Sequence, residues 1–186
     1  QAFTLEDVEP WGAPVTAQGF EDIVQDLRRH WHMTDSDAVV IALWCAHTYC
    51  YRSWKCTPRL VINAPEKGCG KTVTLEGAVE NMSQRSLSGV GLTPAVVSRV
   101  VEKYTPTLCI DEVDSWFTKE SELTALINAG YAEGKSTWKC VGDGHEVRRF
   151  DPHCPVAMAG IKLQKKLSPT TFDRSILVEL ERAAFG

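Results

Sequence analysis

Asn63-Ala64-Pro65-Glu66-Lys67-Gly68-Cys69-Gly70-Lys71-Thr72 is the stretch on which the fold turns. It follows an apolar run, Arg59-Leu60-Val61-Ile62, that reads as a buried strand, and it precedes Val73 to Asn81, which reads as a helix. A glycine-rich loop at a strand-to-helix junction aims backbone amides and the positive end of a helix dipole at one point, which is how a chain wraps phosphates. Gly68 and Gly70 permit turns that a side chain forbids. Lys71 is expected to reach the terminal phosphates of ATP, and Thr72 to place its hydroxyl on Mg²⁺. Glu66, Lys67, Cys69 and Val73 complete the expected phosphate cradle. The usual first glycine of such a loop falls here on Pro65, which fixes φ and removes a donor. The competing explanation is a tight turn in an ordinary α/β protein.

About forty residues on, Thr107-Leu108-Cys109-Ile110-Asp111-Glu112-Val113-Asp114 ends a short apolar run in acids, in the manner of a Walker B strand. Asp111 at the strand's end is placed to hold the Mg²⁺ that bridges the phosphates, and Glu112 to polarise the attacking water. Taken alone, such a pair is commonly a strand meeting solvent; its order after the glycine loop gives it meaning. Asp114 is expected to support the metal ligands or to cap the next helix, with the cap favoured.

The 186 residues suit one domain with a proper core, and 44% apolar with 24% charged residues is ordinary for a globular protein. The longest apolar run, Ala38 to Ala46, is too short to span a bilayer, so a cytoplasmic location without membrane contact is expected. A start at Gln1 and a stop soon after a strand read as an excised piece of something longer. Seven cysteines, at 45, 50, 56, 69, 109, 140 and 154, show no paired Cys-x-x-Cys spacing and read as reduced thiols. Cys140, His145, His153 and Cys154 could close around zinc, although their spacing matches no common finger. Cys69, beside a helix N-terminus, is expected to be oxidisable.

Residues 1–57 are expected to form an N-terminal helical region: Phe20, Ile23, Val24, Leu27 and Trp31 recur at helical spacing, and Ser36-Asp37 opens a second, more uniformly apolar helix. Trp31, Trp44 and Tyr51 fall on its apolar faces and read as core. A hinge near Thr57-Pro58 leads into residues 58–186, where strands and helices alternate as a parallel sheet requires. Ser86 to Gly91 reads as a strand or loop, Thr93-Pro94 opens a helix to Lys103, and another helix runs from about Glu120 to Tyr131. Segments 136–141 and 146–150 flank Gly142-Asp143-Gly144-His145, a hairpin signal. Pro155 to Ala159 and Ser175 to Leu180 read as strands, with a short helix opened by Ser168-Pro169 between them. Leu87-Ser88-Gly89 lies too near the glycine loop to be a transporter-type signature, and the chain has no Asn-Lys-x-Asp for selecting guanine. In chain order one more strand separates the glycine-loop strand from the Asp111 strand. The expected fold class is therefore α/β, in the form of a P-loop NTPase of the additional-strand, catalytic-glutamate, AAA+-like kind: a three-layer sandwich with a parallel sheet preceded by a helical pair.

Read together, the glycine loop, the Asp111 strand, Leu126-Ile-Asn-Ala-Gly-Tyr131, Cys154-Pro-Val-Ala-Met-Ala-Gly160 and Asp173-Arg174-Ser175 resemble a family of AAA+-like ATPases of phages, plasmids and integrated elements, often fused to primase domains. The likeness covers nearly the whole chain, including Leu5 to Trp11, and extends to superfamily three helicase-like motors. It implies a motor for the replication of mobile DNA, working as a homo-oligomeric ring, with a primase domain or protein as partner. It also implies that Arg174 is an arginine finger presented to the neighbouring subunit. The 136–150 hairpin would be the element that meets DNA, with His145 at its tip and Lys139, Arg148 and Arg149 on its arms. Seven Lys or Arg between 135 and 166 against three acids give that region an excess of four positive charges on a chain of net −4. Such a chain would end without the helical lid of related ATPases. Its strand ending at Ala159-Gly160 lacks the usual polar sensor, for which Lys162 and Gln164 are the substitutes within reach. The alternative function is a nucleotide-controlled interaction switch with slow hydrolysis; a small-molecule kinase fits less well, because Glu112 suits activation of water.

Overall fold

The computed structural model describes residues 16–89, 92–116, 121–142 and 145–182. The Leu5 to Trp11 segment, Gly91, Glu120 and the hairpin residues Asp143 and Gly144 lie outside them. Two helices come first, α1 (Ala17–His30) and α2 (Asp35–Cys50). Each opens on a threonine whose hydroxyl accepts an amide three residues on, Thr16 from Gly19 and Thr34 from Asp37, both at 3.1 Å. The cap of α2 is thus Thr34, two residues before the Ser36 that the sequence pointed to.

The strands β1 (Arg59–Ala64), β2 (Ser86–Ser88), β3 (Thr107–Ile110), β6 (Val156–Ile161) and β7 (Ser175–Glu179) form one parallel sheet in the order β2-β3-β6-β1-β7. The strand expected between β1 and β3 in the chain, β2, lies at the sheet's edge; in space the strand between them is β6, which pairs with both. β4 (Thr137–Val141) and β5 (Glu146–Phe150) make a separate antiparallel ribbon, in the register expected of the hairpin.

Alternate residues of the central strands feed two cores, the mark of a sheet covered on both faces. Leu60, Ile62, Cys109, Ala157 and Ala159 join Val24 and Leu27 of α1, Ile41 and Trp44 of α2 and Leu75 of the helix after the glycine loop. Val61, Leu108, Ile110, Val156 and Met158 join Val97 and Val101 of α4 (Pro94–Tyr104) and Leu123, Leu126 and Ile127 of α6 (Glu122–Ala129) on the other face. The N-terminal helices therefore share a core with the sheet. The Trp44 indole N–H donates to the Pro58 carbonyl at 2.8 Å, and the Thr57 amide to the Tyr131 carbonyl at 2.8 Å. The expected hinge at Thr57-Pro58 is thus a stitched crossing. Trp44 and Tyr51 are buried, and Trp31, half-buried, donates its indole N–H to the Val73 carbonyl at 3.2 Å. Among the described residues no helix is long and apolar enough to cross a membrane.

Candidate functional site

The site lies beyond the carboxyl ends of β1 and β3, where an open parallel sheet leaves its crevice. β1 runs into the glycine loop, and α3 (Lys71–Val73) continues without a break into a π-helical stretch, Thr74–Glu80. Gly70 caps that helix at φ 79° and Gly68 sits at φ 85°, both in the left-handed region where a Cβ is strained. Two contacts hold the loop's base. The Asn63 side-chain oxygen accepts the Leu163 amide at 2.8 Å, and the Ala64 carbonyl accepts the Lys162 amide at 3.0 Å.

Lys71 and Thr72, on the first turn of α3, meet Asp111 at the end of β3. Lys71 Nζ stands 2.7 Å from Asp111 Oδ1 and donates to Thr72 Oγ1 at 3.3 Å, while Thr72 Oγ1 donates to Asp111 Oδ2 at 2.5 Å. The Lys71 and Asp111 side chains are 15% and 17% exposed, so their attraction is only partly screened. Burial by itself would raise the Asp111 carboxyl, but hydrogen bonds from Lys71, Thr72 and the Glu112 amide together hold it below its usual value. Glu112 follows with φ 53°, rare for a side chain of its size and a local strain of the kind found at functional sites. That geometry is braced: the Glu112 amide donates to Asp111 Oδ1 at 2.6 Å, and the Glu112 carbonyl accepts the Ser115 hydroxyl at 2.7 Å.

Lys71 and Thr72 border a cleft of about 500 Å³, with Asp111 bonded to both from behind its lining. Of the expected phosphate-cradling residues, Lys67, Gly68, Gly70, Lys71, Thr72 and Val73 line it, and so does Glu112. Two expected members do not. Glu66 is exposed and pairs with Arg182 at 3.3 Å. Cys69 is only 7% exposed, packed into the core beneath the loop while Gly68 and Gly70 face solvent, which argues against the expected ready oxidation.

Asp114 also lines the cleft, in a role the sequence did not show. No capping bond from it occurs among the described residues: its Oδ1 accepts the Ile161 amide at 2.9 Å, and Lys166 Nζ lies 3.7 Å from its Oδ2. The carboxylate thereby clamps the end of β6 to α5 (Val113–Trp116). Gly160 makes this close approach possible, because a Cβ there would lie 2.7 Å from Asp114 Oδ1. Its one sequence signal was its position three residues after Asp111. Of the suggested sensors, Gln164 donates to Glu179 and the exposed Lys162 holds the loop base through its backbone.

No protein-family model and no curated protein matches this chain. Its own geometry therefore carries the functional reading.

The remaining expected site residues lie elsewhere. Arg174 immediately precedes β7, whose Ser175 is level with Arg59 at the start of β1, so it stands about 16 Å along the strand from the glycine loop. Its guanidinium donates to the Asn128 carbonyl at 2.9 Å and lies 5.0 Å from the Tyr131 ring centroid. Two of the hairpin's cations are engaged within the molecule: Lys139 pairs with Glu122 at 2.9 Å, and Arg148 with Glu102 at 3.1 Å. Arg149 is exposed and donates to the Ser136 hydroxyl at 2.6 Å, and His145 is exposed at the turn with φ 51°. The suggested zinc cluster does not assemble. Cys154 is buried in the core, Cys140 is exposed on the ribbon, and His153 Nδ1 donates to the Gly130 carbonyl at 3.0 Å. No metal-binding group of three or more His, Cys, Asp or Glu occurs among the described residues.

Proposed function

We propose that this chain binds ATP with Mg²⁺ at the glycine-loop cleft and hydrolyses it as a P-loop ATPase of the additional-strand, AAA+-like kind. The observation that carries the reading is the meeting of Lys71 and Thr72, which line the cleft, with Asp111 from a second strand end, and Glu112 borders the same cleft. The sheet order supports it, since β6 between β1 and β3 is the additional strand that this class requires. Mg²⁺ asks for one or two hard protein oxygens and keeps its other positions for water and phosphate, and the Thr72 hydroxyl with the Asp111 carboxylate fits that demand. When bound, the ion neutralises charge on the phosphate oxygens. In this reading Lys71 leaves Asp111 for the terminal phosphate, the loop amides hold the phosphate chain, and Glu112 orients and deprotonates the attacking water.

A motor acting on DNA within a ring is the fuller form of this reading. Arg174 lies too far from its own cleft to act there and would serve a neighbouring subunit, once freed from Asn128 and Tyr131. DNA would meet the ribbon through His145 and Arg149, since Lys139 and Arg148 are neutralised by Glu122 and Glu102. The same internal pairing of Arg174 favours a second reading, a nucleotide-controlled switch that hydrolyses slowly until a partner frees the arginine. Phosphate release measured with and without single-stranded DNA separates the two: turnover stimulated by DNA in ring-forming protein supports the motor, and unchanged turnover supports the switch. For either, E112Q should keep nucleotide affinity and lose turnover by at least about 10²-fold; loss of binding equal to that of K71A would remove Glu112 from its assigned role.

A further inference from the structure

A second recess, of about 320 Å³, opens beside the amino ends of β3 and β6 and is lined by Arg52, Arg149, His153, Glu102 and Asp151 among others. Its charges are unevenly matched. Arg52 donates to the Tyr51 hydroxyl at 3.2 Å and Arg149 to the Ser136 hydroxyl at 2.6 Å, and neither guanidinium meets a carboxylate among the described residues. Glu102 is already engaged by Arg148 at 3.1 Å, and Asp151 accepts the His153 amide at 3.0 Å.

Behind the recess lies a buried cation. Arg59 is 1% exposed, and its guanidinium is held by the carbonyls of Cys154 and Ile127 with no carboxylate partner among the described residues. Its Nε has no hydrogen-bond partner there. Burial pushes its pKa down to about 10, which still leaves it charged near neutrality. An unpaired buried charge is costly unless an opposite charge comes close. His153, 4% exposed, adds an unmet polar atom: its Nδ1–H is spent on the Gly130 carbonyl, and its Nε2 has no partner among the described residues.

We propose that this recess is a phosphate-binding site, separate from the glycine-loop cleft, in which a phosphate group lies between Arg52 and Arg149 with His153 behind it. A tetrahedral oxyanion can accept from two guanidinium groups at once, which a single ammonium donor would not require. His153 lines the wall behind them, and because its Nε2 is closed off from solvent the two guanidinium groups carry the contact. The phosphate can come from a free phosphate compound or from a nucleic-acid strand. For a strand the ribbon supplies a stacking surface: Trp138 stands directly opposite Arg149 in register and is 67% exposed. The assignment does not depend on what the glycine-loop cleft binds.

The test titrates inorganic phosphate into the whole chain carrying Lys71→Ala, which silences the cleft, and into the same chain with Arg52→Gln and Arg149→Gln added. Both arginines are exposed, so folding should survive, and thermal midpoints check it. Saturable binding that weakens at least about tenfold in the glutamine variant, and is partly restored by R52K/R149K, is expected. Undiminished affinity in the glutamine variant, or no saturable binding in the Lys71→Ala chain, overturns the site. An oligothymidylate arm then fixes the source. Displacement of phosphate by the oligonucleotide, weakened in W138A, assigns the strand; phosphate binding undisturbed by oligonucleotide assigns the free compound.

Discussion

Asp111→Asn separates two jobs that one carboxylate is expected to perform. Without metal, the carboxylate competes with the nucleotide for Lys71, whose Nζ lies 2.7 Å from it. A hydrogen bond to a charged group contributes about 1.5–3 kcal/mol when shielded, and exposed ion pairs about 0–1 kcal/mol. With side chains 15% and 17% exposed, the pair falls between these limits, at about 1–2 kcal/mol. Neutralising Asp111 frees Lys71 and removes a negative charge facing the phosphates, so metal-free ATP affinity should rise about 5- to 30-fold. With its oxygen in the place of Oδ1 the asparagine still accepts the Glu112 amide, and its amino group donates to the Thr72 hydroxyl in place of the bond that Oδ2 accepted, so the loop should keep its shape. With magnesium the sign reverses: wild-type protein should bind more tightly in excess Mg²⁺ than in EDTA, and D111N should lose most of that gain. Titration of a fluorescent ATP analogue under both conditions reads the four affinities. Metal-free binding by D111N that is equal to or weaker than wild type would refute the competition.

Burial holds the pKa of His47 and His153 below the usual histidine value, with the mutual repulsion of the two adding to it at His47 and the Gly130 bond and Asp151 opposing it at His153. The unfolded chain therefore takes up protons first, so stability present above about pH 6.5 should be lost as pH falls through that value and level off only below the folded pKa values; thermal midpoints of wild type should drop on acidification, and those of an H47Q/H153Q variant should drop less. Gly160→Ala would place a Cβ 2.7 Å from Asp114 Oδ1 and 2.7 Å from a Leu163 methyl carbon. Overpacking of that kind costs about 1–3 kcal/mol, and a midpoint lowered by several degrees in calorimetry is the expected result. Exposed Cys50, Cys56 and Cys140 should alkylate quickly in native protein, while Cys45, Cys69, Cys109 and Cys154 wait for opening, as mass spectrometry of peptides will read.

Where structure followed from neighbours in the chain, the sequence foretold it. The apolar run of β1, the glycines of the loop and the threonine-proline start of α4 all act within a few residues of themselves. The meeting of Thr72 with Asp111, 39 residues on, was legible because each sits in a motif; other interactions that bridge long stretches of chain were invisible. Lys139 and Arg148 read as a basic surface until the ribbon packs on α6 and α4, which bring Glu122 and Glu102 against them. Asp114 could not be assigned before β6 had a place in the sheet, because its partner, the Ile161 amide, is 47 residues away. Cys69 was misjudged because the twist of the loop turns one side chain inward between two exposed glycines. The stitched crossing at Thr57-Pro58 depends likewise on Tyr131, a residue just past the end of α6.

Magnesium-dependent binding of an ATP analogue to the intact chain, compared with Lys71→Ala by equilibrium titration, probes the cleft most directly. Saturable binding that strengthens with Mg²⁺ and weakens by at least about 10²-fold in K71A is the expected result, the loss of a charge-assisted contact to phosphate. Equal affinity in wild type and K71A would place the nucleotide somewhere other than the cleft that Lys71 and Thr72 line.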